Sequence, residues 1–194
     1  MNKYFKYYFF LLFFLFIFNI LFSESWFFKN AHSKDINGKA RIIDGDSIEI
    51  NNEKIRFLGI DAFEKKQKCY RKDGTKYNCG EISTSTLHTI ISEQPIRCVT
   101  KKKDHYKRWL ATCYIGTLDI NENMVLLGHA LSFMSIKYKD AQKEAKKSNA
   151  GAWAGGFILP SKFRKLKRKG LRDIHTANPL SSVNQFKFEE KKNM

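Results

Sequence analysis

Acidic side chains are scarce in this chain of 194 residues, which has 19 Asp and Glu against 35 Lys and Arg. The places where they gather are therefore informative. Asp44, Asp46, Asp61 and Glu64 fall near the ends of two neighbouring predicted strands. A tight turn within 51–54 folds the second strand against the third and brings Asp46 and Asp61 to one open end of the hairpin. Carboxylates gathered in this way repel one another unless a cation lies between them, and hard divalent ions prefer oxygen ligands. The residues point to a calcium-like site. It is not an EF-hand, because Ile48 and Glu49 stand where a loop starting at Asp44 would need a third oxygen ligand and a glycine. Around the cluster lie Arg56, Arg108 and the pair His105 and Tyr106. Phosphodiester hydrolysis needs an activated water, positive charge on the phosphoryl oxygens and a cation opposing the charge that develops during attack. The cluster offers a candidate for each.

The elements that must position these residues can be read from the hydrophobic pattern. Short apolar runs cut by turn residues predict strands over 40–43, 48–50 and 55–60, with turns at Asp44-Gly45 and Asn51-Asn52. Strict alternation in the third strand puts Arg56 and Asp61 on opposite faces, unless Gly59 marks a bulge. Residues 61–79 read as a long polar loop, 81–91 as a first helix, and 95–100 and 108–115 as two more strands. Met124, Leu127 and Leu131 form one stripe of a second helix over 121–131, and a third covers 138–149, ending at Asn149-Ala150-Gly151. Three strands, a helix, two strands and two helices fit a mainly β fold with α, a small five-stranded Greek-key barrel with about three helices, better than a doubly wound sheet.

The formal net charge of +16 excludes an ordinary neutral metabolic enzyme as the default and favours a polyanionic partner, nucleic acid or an anionic membrane surface. Lys3 and Lys6 precede an apolar run over 7–22, followed by Ser23-Glu24-Ser25. Residues 1–25 thus read as a secretory signal, or alternatively as an anchor extended by Trp26-Phe27-Phe28, giving membrane attachment through 1–28. The expected location is secreted or periplasmic, or membrane-anchored facing outward. Cys69, Cys79, Cys98 and Cys113 are an even set in a chain expected to leave the cytosol, with no zinc-type spacing among them. The expected disulfides are Cys98 with Cys113, on adjacent strands, and Cys69 with Cys79, clipping the loop beside Glu64. His32, His88, His129 and His175 have no ligand or triad spacing. After Pro160, residues 161–172 hold seven positive charges and no acid, and 161–194 reads as a flexible basic tail.

Three ordered segments are more specific than any of these patterns. Ile43-Asp44-Gly45-Asp46-Ser47, then Ile55-Arg56-Phe57-Leu58-Gly59-Ile60-Asp61-Ala62-Phe63-Glu64, then Asp104-His105-Tyr106-Lys107-Arg108-Trp109-Leu110-Ala111 closely resemble the signature segments of the staphylococcal-nuclease-like (thermonuclease) family. Met124-Val125, Gly128-His129-Ala130 and Gly151-Ala152-Trp153 extend the likeness, which places a nuclease domain at 38–157. The resemblance implies an OB-type barrel and a calcium-dependent endonuclease of low sequence specificity acting on DNA, with RNA as a further substrate. No protein partner is implied, and the expected state is a monomer. Asp46 and Asp61 would be calcium ligands with the Ala62 backbone carbonyl. Glu64 would orient or deprotonate the attacking water, and Arg56 and Arg108 would bind phosphate. Tyr106, flanked by His105 and Lys107, would border the nucleotide pocket, with Asp44 an acid nearby. Phe63 stands where the family has proline, Lys107 where it has glycine and Ser47 where it has threonine. The rival reading is a binding module of the same fold with weak catalysis.

Overall fold

Four buried side chains carry the central hairpin. Ile48 and Ile50 of strand β3 (Ser47–Ile50) and Ile55 and Phe57 of β4 (Glu53–Phe57) alternate with partly exposed residues, the pattern of strands with one face on a core. Asn51 and Asn52 join them with φ of 50° and 64°. Positive φ at both central residues of a two-residue hairpin loop is the geometry that matches strand twist, and asparagine tolerates it. These coordinates are a computed structural model that describes residues 10–14, 17–18 and 34–170.

The chain divides into 1–33 and 34–194. In the first unit, residues 10–14 and 17–18 are helical and exposed. Among the described residues no helix is long and apolar enough to cross a membrane. Most of the proposed signal or anchor at 1–25 lies outside the described residues.

In the second unit, β1 (Asp35–Lys39), β2 (Arg41–Asp44), β8 (Pro95–Lys103) and β9 (Trp109–Ile115) join the hairpin in one mixed sheet ordered β1-β8-β9-β4-β3-β2. The β4–β9 pair is parallel, and β10 (Leu118–Asp119) pairs with β9. Helices α1 (Cys79–Ile91), α2 (Ile120–Leu126) and α3 (Lys139–Lys147) accompany the sheet. Leu87, Ile91, Ile120, Met124, Val125 and Ala141 join Ile48, Ile50, Ile55 and Phe57 in one core. The fold is the mainly β, OB-type architecture expected, with more strands than the five read from the sequence.

Four differences from the sequence reading bear on the site. The strand expected over 55–60 is two strands, because Gly59 turns the chain at φ +80°. After it, β5 (Ile60–Ala62) pairs with β11 (Ala130–Ser132) instead of continuing in the main sheet. The helix expected over 121–131 stops at Leu126, since Gly128 takes φ +69° and sends 130–132 into that pairing. The loop over 61–79 contains a small hairpin, β6 (Cys69–Tyr70) with β7 (Lys76–Tyr77). Finally, part of the expected flexible tail is helix α4 (Pro160–Arg168), with proline at its start and Phe163 buried, and 171–194 lies outside the described residues. Both expected disulfides are present, Cys69–Cys79 and Cys98–Cys113. The second links register partners on β8 and β9.

Candidate active site

A buried carboxylate pair forms the floor of the site. Asp46 lies in the β2–β3 turn and Asp61 in β5, 3% and 2% exposed. Arg56 of β4 spans them, Nη1 donating to Asp46 Oδ1 and Nη2 to Asp61 Oδ1, each at 2.9 Å. The kink at Gly59 makes this reach possible, since uninterrupted alternation would have turned Asp61 away. The Ser47 hydroxyl donates to Asp46 Oδ1 at 3.0 Å and the Ala62 N–H to Oδ2 at 3.1 Å. Asp44 accepts from the Asp46 N–H at 3.1 Å. Burial pushes the Asp46 carboxyl up to about 7 against the pull of Arg56. Anions this buried persist only with positive charge and hydrogen bonds beside them.

Glu64 stands on the next loop, its side chain 35% exposed. The loop is braced from several sides. The Glu64 N–H donates to Gln67 Oε1 at 3.2 Å and the Gln67 N–H returns to the Glu64 carbonyl at 2.6 Å. Fully buried Gln67 also donates through Nε2 to the Ile158 carbonyl at 2.6 Å. Helix α1 approaches so closely that a β-carbon on Gly80 would stand 1.8 Å from the Glu64 carbonyl oxygen.

The opposite rim is the 104–108 turn. Asp104 Oδ1 accepts from the Tyr106 and Arg108 N–H groups, and Oδ2 from Arg108 Nε, all at 2.9 Å. Burial would raise the Asp104 carboxyl, but its bonds from Arg108 and Tyr106 outweigh this and hold it below the ordinary value. The Arg108 guanidinium sits 5.3 Å from the exposed Tyr106 ring, itself 3.8 Å from the His105 ring. Arg56, Glu64, Arg108, Tyr106, His105 and Asp44 line one cleft of about 830 Å³. Arg164, Lys167 and Arg168 of α4 line it too. Arg164 Nη1 donates to Asp61 Oδ1 at 2.9 Å and Glu64 Oε1 at 2.8 Å, and Nη2 to Asp61 Oδ2 at 3.1 Å.

Residues 54–155, just over half of the chain, match the family described as "Staphylococcal nuclease homologue". The chain belongs to the staphylococcal nuclease family. It is 35% identical over 126 residues to the "Succinoglycan biosynthesis protein ExoI" of Rhizobium meliloti (strain 1021), covering 62% of this chain and 66% of that protein. It is 30% identical over 156 residues to an "Uncharacterized endonuclease" of Haemophilus influenzae, covering 75% and 82%. It is 28% identical over 115 residues to the "Probable staphylococcal-like nuclease CAN3" of Oryza sativa subsp. japonica, covering 57% of this chain and 28% of that protein.

The departures from the staphylococcal nuclease pattern have local reasons. Phe63, in the proline position, is 1% exposed and packs edge-on against Phe157 with centroids 5.1 Å apart. The loop bearing Glu64 is thus anchored by apolar burial in place of a rigid ring. Lys107, in the glycine position, has φ +62°, a backbone state that glycine adopts without strain. Its side chain is not among those lining the cleft.

The structure brings Arg56, Asp46, Asp61, Glu64, Arg108 and Tyr106 to one place, as expected. Gln67 and Arg164 were missed. No local pattern marks Gln67, whose role depends on Ile158, far along the chain. The signal available for Arg164 was proline before a basic run in which Phe163 and Leu166 share helical spacing.

The donor set fits a hard divalent cation by chemistry. It offers only oxygens, two of its carboxylates are buried, and positive groups are already lodged between them. Among the described residues no three His, Cys, Asp or Glu side chains converge closely enough to hold an ion as they stand. The guanidiniums of Arg56 and Arg164 lie between the acids.

Proposed function

We propose that this chain is an exported, calcium-dependent endonuclease that hydrolyses phosphodiester bonds of DNA, and of RNA, with low sequence specificity. The observation that carries the reading is the convergence of Glu64, Arg56 and Arg108 on one cleft over the buried Asp46–Asp61 pair. Names of two relatives, an endonuclease and a probable staphylococcal-like nuclease, support it. Export is supported by the charged and apolar sequence over 1–25 and by two disulfides, which persist outside the cytosol.

In this reading Asp46, Asp61 and the Ala62 carbonyl would hold calcium, which would offset negative charge on the phosphoryl oxygens. Glu64, partly exposed and held by its backbone, accepts the proton of the water whose oxygen forms the new bond to phosphorus. Arg56 and Arg108 bind the equatorial oxygens, where charge grows as the bond to the leaving oxygen breaks. Tyr106 and His105, with rings inclined at 44°, give the adjacent base or sugar an aromatic wall. Backbone and charge contacts of this kind carry no base code, so cleavage is insensitive to sequence.

Incubating plasmid with the purified protein, in calcium or in chelator, tests the proposal. Nicking and linearisation in calcium alone are expected. DNA retained in a gel shift but uncut under both conditions would favour the binding-module reading instead.

A further inference from the structure

The matched family segment ends at residue 155, yet the side chain that fills the space between Asp61 and Glu64 comes from beyond it. Arg164 projects from α4, which starts at the buried Pro160 and is pinned by the buried Phe163. This anchoring directs the guanidinium inward, where its side chain is only 34% exposed. Asp61 has both oxygens engaged by guanidiniums, Oδ1 by Arg56 and Arg164 and Oδ2 by Arg164 again. Glu64 Oε1 is held by the same Arg164 Nη1. A guanidinium bidentate on a carboxylate is among the stronger charge-assisted pairs. A divalent cation bound through Asp61 would lie within a few ångströms of that guanidinium, and like charges at such a distance repel. Lys167 and Arg168, about one helical turn further along, line the same cleft and add positive charge beside the Arg164 guanidinium.

We propose that Arg164 is a positioning residue that keeps the cation's place: it holds Asp61 and Glu64 in register before loading, and the divalent cation binds by displacing its guanidinium from Asp61. The proposal rests on the calcium reading above. Arg164 thereby sets the calcium concentration at which the site loads.

The test is calorimetric titration of the intact protein with calcium alone, in three forms: wild type, Arg164→Gln and Arg164→Lys. Arg164→Gln is expected to bind calcium about tenfold more tightly, the scale of a charge-assisted pair discounted for partial exposure. Arg164→Lys keeps the competing charge and should stay near the wild type. A residue that merely braced the fold would lower the melting temperature without tightening calcium. Equal or weaker affinity of a folded Arg164→Gln overturns the proposal. Should that variant fail to fold, the arginine Nε–Hε spectrum of the wild type decides. The Arg164 signal, assigned by its absence in Arg164→Lys, must shift on adding calcium, and an unmoved signal refutes displacement. Calcium uptake by the wild type with no tightening in Arg164→Gln removes this inference alone. No uptake by either folded protein removes the calcium reading as well.

Discussion

Glu64 differs from Asp46 and Asp61 in being partly exposed, which suits a group that must meet water, whereas the buried pair suits ion binding. Glu64→Gln and Arg108→Ala should each lower cleavage by at least about a hundredfold, the order for losing a positioned base or a charge clamp. Initial rates on plasmid at saturating calcium measure this, and near-wild-type rates in both would remove the two residues from the mechanism. Asp46→Ala and Asp61→Ala should lose calcium affinity together with rate, read by calorimetry. Asp104 acts through Arg108, and its folded-state carboxyl lies below the ordinary value. It therefore contributes stability above its unfolded value, near pH 4, and loses that contribution as pH falls through the lower folded value. The stability gap between wild type and Asp104→Asn should shrink across that acid window in denaturant titrations. A gap that widened there would contradict the ion pair.

At the scale of elements, the loop that presents Glu64 depends on close approach by α1. Gly80→Ala drives a β-carbon into the Glu64 carbonyl, so cleavage should fall more than calcium affinity, which depends on the buried Asp46 and Asp61 as well as on Arg164. Parallel rate and calorimetric measurements separate the two effects. Phe63→Ala removes the apolar anchor of the same loop and should cost about 3–5 kcal/mol in denaturant unfolding, as for other buried phenylalanines. The hairpin β3–β4 was legible in the sequence because its alternation and its Asn51-Asn52 turn are local signals. So were α1 and both disulfides, which follow from adjacent strands and a clipped loop. The division of 55–62 into two strands was legible only as the suspicion attached to Gly59. The strand at 130–132 was not legible, because Leu127 and Leu131 keep a helical spacing and only the partner strand β5 decides otherwise. Helix α4 was hidden by its charge: seven positive residues over 161–172 read as solvated chain, while the burial of Phe163 that holds the helix is a tertiary contact.

Across the whole molecule, charge dominates. The segment over 161–194 has ten basic and three acidic residues, so it carries +7 of the net +16. Lys167 and Arg168 put part of that charge on the cleft wall. Replacing both by glutamine should weaken polynucleotide binding and flatten its salt dependence by roughly 0.9 per lost phosphate contact on duplex DNA. Cleavage of a dinucleotide, whose single phosphodiester is already met by Arg56 and Arg108, should change less than cleavage of long DNA. Identical salt slopes for variant and wild type on long DNA would show that the helix makes no phosphate contact. The central claim, hydrolysis by a calcium-loaded site with Glu64 as its base, is met most directly by one comparison. Wild type and Glu64→Gln are incubated with supercoiled plasmid at equal protein concentration, in calcium and in chelator. The account predicts cleavage by the wild type in calcium, none in chelator, and at least about a hundredfold less from Glu64→Gln although it still binds the DNA. Equal cleavage by both proteins, or cleavage that persists in chelator, would contradict it.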